Sequence, residues 1–240
     1  MTLVYPQLSQ FPIRKQKRVR TVVNRLADGR TIKLPDPAAS VTEWSLTYRD
    51  LTDQDASALQ AIFVAAEGRL NGFTFLDPTA NLLAWSDRLD DAAWTKGPML
   101  RVDGSQVANG GGAPQSVTQT LAAPAGYLYC LSAMLRAAQP CTVTLVAGAQ
   151  RSSRLVHTVW SRMALAAECG PVFGLELPAG STVEVKNLQV EAQGGASTYK
   201  PSTRGGVFED ARFREDVLTI TATGVNRHAA TVNIIHADHL

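Results

Sequence analysis

Cysteine, histidine and strong net charge are all scarce in this chain, and each scarcity closes a route. The three cysteines, Cys130, Cys141 and Cys169, are odd in number and form no C-x-x-C, which argues against a disulfide framework and against a zinc knuckle. Cys130 and Cys141 sit in apolar strand-like runs and read as small core residues, as suits folding in a reducing cytoplasm. The histidines are His157, His228, His236 and His239. None has a Cys, Asp or Glu partner at ligand spacing, so no metal and no cofactor is expected, and His236-Ala237-Asp238-His239 reads as a fraying end. No run of about 18 apolar residues occurs, so no membrane insertion is expected. Met1–Gln10 lacks the apolar segment of a signal peptide.

Catalytic patterns are missing as well. There is no G-x-S-x-G and no arguable Cys–His pairing. Asp90-Asp91 lies beside Arg88, but adjacent side chains point differently, which disfavours a carboxylate dyad. Glu168, Glu176, Glu184 and Glu191 fall on separate segments, and nothing selects a pair. Asn109-Gly110-Gly111-Gly112 lacks a following helix and a Lys-Ser/Thr, so it reads as a flexible loop and not as a phosphate cradle. The expectation is a protein that is not an enzyme, with no catalytic residue.

What is present is β structure in two textures. Apolar content of 45% supports real cores. Val19, Thr21 and Val23 alternate with Arg18, Arg20 and Val22 as in a strand. Asp28-Gly29 turns it, Thr31–Leu34 returns it, and Leu34-Pro35-Asp36-Pro37 is expected to stop it, because proline donates nothing to a ladder. Trp44, Leu46 and Tyr48 give the cleanest half-buried strand. Thr52 can cap a helix running roughly from Asp53 to Glu67, with Asp55 as an acidic capping-box partner. Leu59, Ile62, Phe63 and Ala66 share one helical face, and Gly68 is the stop. Asn71–Leu76 reads as the next strand and Asp77-Pro78 ends it. Near the C-terminus, Val217–Thr223 and Ala230–Ile235 form a hairpin, and two strands alone are marginal in water.

Between Asp77-Pro78 and Arg204-Gly205-Gly206 the texture changes. Candidate strands at Ser116–Leu121, Tyr127–Leu135, Thr142–Ala147, Leu155–Val159, Val172–Leu177 and Thr182–Glu191 are separated by Pro/Gly breakers. This is the pattern of a β-sandwich nested in a loop of another domain. The expected division is 1–78 with 205–240, interrupted by 79–204. Residues 1–35 carry eight basic side chains against Asp28 alone. That excess reads either as a solvated strand face or as a surface meeting acidic groups. The absence of aromatic interleaving argues against specific nucleic-acid recognition.

Two stretches resemble a known family. Asn81-Leu82-Leu83-Ala84-Trp85-Ser86 with Trp94-Thr95-Lys96 opens the middle segment. Asn187-Leu188-Gln189-Val190-Glu191-Ala192 with Ser197-Thr198-Tyr199-Lys200-Pro201-Ser202 closes it. Together they resemble the carbohydrate-binding-like jelly-roll modules of bacteriophage tail and baseplate proteins. The flanks, through Trp44–Tyr48, the helix and Gly72-Phe73-Thr74-Phe75-Leu76-Asp77-Pro78, resemble the distal tail proteins of long-tailed phages. That resemblance implies a mainly β, tail-tube-like sandwich or barrel with one packed helix, plus the inserted jelly roll. It implies a virion protein, assembled in the host cytoplasm, whose six copies ring the axis between the tail tube and the central hub. Host-surface glycans would be a further partner, through the insert. In that setting Arg18 and Arg20 are the candidates for inter-subunit contacts. Trp85 and Trp94 read as core anchors. Trp160, between His157 and Arg162, reads either as a partly buried sandwich-edge residue or as a glycan platform, and is the candidate carbohydrate-binding residue.

Overall fold

The computed structural model describes residues 2–8 and 12–237; Asp238 and His239 of the C-terminal histidine stretch lie outside them. The chain divides into two compact units, Met1–Phe75 with Phe208–Leu240, and Leu76–Val207. Among the described residues it is mainly β, with antiparallel sheets and one helix.

In the first unit the chain runs β1 (Ile13–Arg25), β2 (Thr31–Leu51), α1 (Asp53–Ala65) and β3 (Phe73–Leu76). The second unit supplies β4 (Thr95–Lys96), β5 (Leu100–Asp103), β6 (Gln106–Asn109), β7 (Gln115–Thr120), β8 (Tyr127–Ala137), β9 (Cys141–Ala147), β10 (Gln150–Val156), β11 (Ser161–Cys169), β12 (Val172–Leu177) and β13 (Thr182–Glu191). The chain then completes the first unit with β14 (Val207–Phe213), β15 (Ile220–Gly224) and β16 (Arg227–Ala237).

The first unit is one sheet in the order β1-β2-β16-β14-β3, with β15 on β16. The alternation read at Trp44, Leu46 and Tyr48 points all three into its core, where they are at most 2% exposed. Phe75 and Phe208 meet the Trp44 ring edge-on at 5.0 and 4.7 Å, the geometry aromatic quadrupoles favour. Helix α1 covers this core with Leu59 and Ile62, and its C-cap Ala66 is buried beside them. Its N-terminus carries the full Thr52–Asp55 capping box, which satisfies otherwise orphaned N–H groups. The Tyr5 and Tyr48 hydroxyls pair at 3.0 Å, and burial pushes both phenols well above their usual range.

Strand β2 does not stop at the prolines. It runs on through Pro35 and Pro37 to Leu51. Along residues 31–36 it pairs only with β1 among the described residues. A proline whose missing N–H falls on the open edge costs that ladder nothing. The result is a β-ribbon whose outer half is exposed: Val19 73%, Val23 52%, Leu34 48%, Ile32 43% and Leu26 40%.

The second unit is a β-sandwich of the jelly-roll kind. Sheets β10-β9-β12-β7-β4 and β11-β8-β13-β6-β5 share one core built on Tyr129, Leu131, Leu135, Leu145, Phe173, Leu175 and Val190. The expected strand at Leu155–Val159 ends early, at Val156, and β11 follows it unforeseen. Its sequence, Ser-Arg-Met-Ala-Leu-Ala-Ala-Glu-Cys, is rich in residues depleted from strands. Packing of Met163, Leu165 and Ala167 on the core decides its conformation instead. The glycine loop after β6 is tied down: Asn109 donates to the carbonyls of Ala113, Leu177 and Pro178 at 2.9–3.1 Å.

The two ends of this unit are fastened together. Buried Asn81 donates to the carbonyls of Leu188 and Lys200 (3.0 and 3.2 Å) and accepts from the N–H groups of Leu83 and Val190 (3.1 and 3.0 Å). Ser86 and Ser202 exchange bonds of 3.0 Å, and Asp77 N–H donates to Gly206 O at 2.9 Å. Gly205 has φ +74°, and a Cβ there would lie 2.5 Å from Leu82 O. Only glycine fits such a position. The fully buried Glu191 carboxylate accepts from Lys200 Nζ at 2.8 Å, from Ser197 Oγ and N at 2.5 and 2.9 Å, and from Gln189 at 2.6 Å. Burial pushes this carboxyl up, but the Lys200 and Ser197 hydrogen bonds outweigh it and hold the group below its usual range.

Two outcomes follow from this fastening. Asn81→Ala strands several buried backbone groups and should lower unfolding stability by about 3 kcal/mol, measured by urea titration. A carboxyl held below its unfolded value stabilises at neutral pH, and that stability is lost as pH falls through the folded value. Glu191→Gln should therefore be about 2 kcal/mol less stable than the parent near pH 7, with the gap closing as pH falls through the folded carboxyl's lowered range. A gap that does not change with pH would show that the charge does not matter there.

Candidate glycan-binding face

The outward side chains of β11, β8 and β13 follow from register. Leu131, Ala133 and Leu135 of β8 face the core, so Met134 and Arg136 face out, while Ser132 lies on the same side but is fully covered. Arg162 opposes Met134 on one side and Lys186 opposes it on the other. Arg162 donates to Ser132 at 3.0 Å. Arg136 donates through Nε and Nη2 to Glu184 Oε1 at 3.1 and 2.6 Å.

Trp160 immediately precedes β11, half-buried, beside this face. The Arg136 guanidinium is 5.0 Å and the Lys186 ammonium 4.7 Å from its ring centroid. Each such contact is worth about 0.5–2 kcal/mol. A sugar stacking on a face so covered would first displace a cation. The residue is thus held at the sandwich edge, inside a patch that offers Arg136 and Lys186 as donors and Glu184 as an acceptor.

A second feature lies next to the patch. In β13 the register with β8 shifts between Lys186 and Gln189, and Asn187 takes φ +54°. Bulges of this kind re-aim side chains. Here Lys186 and Asn187 border a cleft of about 290 Å³, whose other walls include Ser86, Asp87, Leu89, Ser105 and Val185. Tyr199 donates to Asp87 Oδ1 and shares its hydroxyl with Ser86 Oγ at 2.9 Å. Burial, then the bond to Asp87, pushes this phenol up. The sequence did not single out Asp87 or Lys186, and it marked Asn187 only as the first residue of the closing motif. The nearest signal was the closing motif itself, where an asparagine breaks an otherwise alternating strand.

The other sequence candidates fall elsewhere. Trp94 is a core anchor, 2% exposed, donating to Trp85 O at 3.1 Å. Trp85 is not: it is 37% exposed at φ +46°, with the Arg88 guanidinium 5.8 Å from its ring. The turn that presents its carbonyl to Trp94 points its own ring outward. Asp90 pairs with Arg88 at 3.1 Å, while Asp91 accepts from Ala93 N–H, so the acidic pair is divided between two local jobs. Glu176, Glu184 and Glu191 bond to Ser116, Arg136 and Lys200 respectively, each apart from the others. All three cysteines are free, and burial raises each thiol. Among the described residues no cluster of three or more His, Cys, Asp or Glu could hold a metal ion, and no helix is long and apolar enough to cross a membrane.

Arg18 and Arg20 lie in the first unit, on β1. Both are paired within the chain, Arg18 with buried Glu43 and Arg20 with Asp36 at 2.5 Å. Arg214 holds the other oxygen of Glu43. The two guanidinium side chains nevertheless stay 57% and 66% exposed.

No family model matches the sequence, and no curated protein matches it. Similar solved structures include the enzymatically active domain of tailspike protein 4 of bacteriophage CBA120, at 12% identity and TM-score 0.37 over 49% of this chain and 22% of that one. The CBM22-1 and GH10 modules of Clostridium thermocellum endo-1,4-β-D-xylanase 10B, complexed with xylohexaose, match at 8% identity and TM-score 0.35 over 52% of this chain and 30% of that one. The N-terminal cellulose-binding domain of β-1,4-glucanase C from Cellulomonas fimi matches at 15% identity and TM-score 0.34 over 48% of this chain and 99% of that one.

Proposed function

We propose that this chain is a structural subunit of a phage tail tip, closing as a hexameric ring between tail tube and hub, with its inserted sandwich serving as an accessory module for host-surface glycans. In this reading the chain builds and binds, and turns over no substrate. The observation that carries it is the β1–β2 ribbon. Register puts Val22 opposite Leu34 and Asn24 opposite Ile32, so one face of the outer half carries Val22, Leu34 and Ile32 together. A two-stranded ribbon with exposed apolar side chains is marginal in isolation and is a ready template for another chain. A head-to-tail contact through such an arm closes a ring when the rotation allows it. Arg18 and Arg20 keep the arm in register through their own carboxylates while presenting charge to a neighbour. The sequence motifs at both ends of the insert support the tail assignment.

A second reading makes glycan recognition the main activity of a free-standing adhesin. The donor-rich face around Arg136, Lys186 and Trp160 favours it.

Light scattering on the purified chain separates the two. Ring building predicts a six-fold particle, and Ile32→Ser with Leu34→Ser should dissociate it without lowering the melting temperature of the subunit, since both side chains are already exposed. A monomer at all concentrations tested would count for the adhesin. For the module, Trp160→Ala should weaken binding on a host-glycan array about threefold to tenfold, through loss of the support it gives to Arg136 and Lys186. Unchanged binding would remove this patch from the site.

A further inference from the structure

We infer that the cleft beside the β13 bulge is a binding site for one neutral sugar unit, the terminal residue of a glycan rather than the middle of a chain. The inference rests on the glycan-binding reading of the insert and goes further by naming the site and the ligand class. Size comes first. The cleft holds about 290 Å³. That is at the small end of the range for ligand pockets, which begins at roughly 300 Å³, and it suits a single ring.

The chemistry of the walls comes next. Asp87 is fixed by Tyr199 through Oδ1, and among the described residues its Oδ2 makes no hydrogen bond. Among the described residues the Lys186 ammonium lies over the Trp160 ring and makes no hydrogen bond or ion pair, and the side chains of Asn187 and Ser105 make no hydrogen bond. These four groups offer an acceptor, a cationic donor, an amide that does both, and a hydroxyl that does both. A sugar hydroxyl is itself donor and acceptor, and several hydroxyls on one ring can use that mixture. A carboxylate or phosphate ligand would face Asp87, and a cationic ligand would face Lys186, so the balance of charge favours a neutral guest. Leu89 and Val185 add an apolar wall for the C–H face of the ring. The bulge supplies the geometry, since an unbroken β13 would alternate Lys186 and Asn187 to opposite faces.

The test titrates glucose, galactose, N-acetylglucosamine and glucuronic acid into the full chain, read by saturation-transfer NMR. The same chain is run on a host-glycan array. At least one neutral sugar should bind, and bind better than glucuronic acid. Asn187→Gly should weaken that binding about tenfold. The variant should keep the fold, because glycine tolerates the positive φ that Asn187 adopts at least as well as asparagine does. Asp87→Ala should do the same, and Asn187→Gly stands alone if that variant fails to fold. Preference for glucuronic acid, or full binding by Asn187→Gly, would overturn the proposal. An array-positive chain whose binding survives both cleft variants sinks the cleft and leaves the module reading intact. A chain negative on both the array and the titration sinks both.

Discussion

The whole arrangement depends on holding the two ends of the second unit together. Strands β3 and β14 are neighbours in the first unit's sheet, and the chain leaves from one and returns to the other. Any segment placed between them must bring its own ends to within a strand spacing, about 4.8 Å. Asn81 meets that demand by bonding to both sides of the closure, with Gly205 allowing the backbones to approach and the Ser86–Ser202 exchange extending the seam. A long connection costs little extra closure entropy once such contacts exist, since that cost grows only with the logarithm of length. A sandwich can therefore sit in this loop without breaking the sheet that carries it.

The same economy shows in how charge is handled. Glu191 and Glu43 are both nearly removed from solvent, and each is surrounded by donors: Lys200, Ser197 and Gln189 for one, Arg18 and Arg214 for the other. A buried carboxylate without such company would be strongly unfavourable. The basic excess of the N-terminal region is thus partly spent inside the chain. What remains outward on the ribbon is a mixture of cations and apolar side chains.

The motif at each end of the insert acquires a physical meaning. Asn81, Ser86, Gln189, Glu191, Tyr199 and Lys200 are the residues that bond across the closure or brace it. They stand at the two ends of the insert and together build the clasp. Of the candidate glycan contacts Asn187 opens the closing motif, while Asp87, Ser105 and Lys186 lie outside it. Resemblance in the motif therefore speaks to architecture and not to a ligand.

Local rules carried much of the fold. Alternation at Trp44, Leu46 and Tyr48, the Thr52–Asp55 cap, the one-sided helix and the Pro/Gly breakers of the insert depend on near neighbours, and period and turn chemistry express them directly. Three things lay beyond reach of the sequence. Strand β11 is alanine-rich and extended only because a core lies beneath it. Strand β2 passes two prolines only because no partner occupies that edge among the described residues. Trp85 and Trp94, with similar surroundings in the sequence, end up outside and inside because one turn carbonyl needs the other's indole N–H. The sequence by itself determined the β class and the helix, since those follow from periodicity and turn chemistry. Which polar groups meet at the cleft, which cations cover Trp160 and which face of the ribbon stays bare were decided by strand register and a single bulge, because these bring together residues that no local pattern relates.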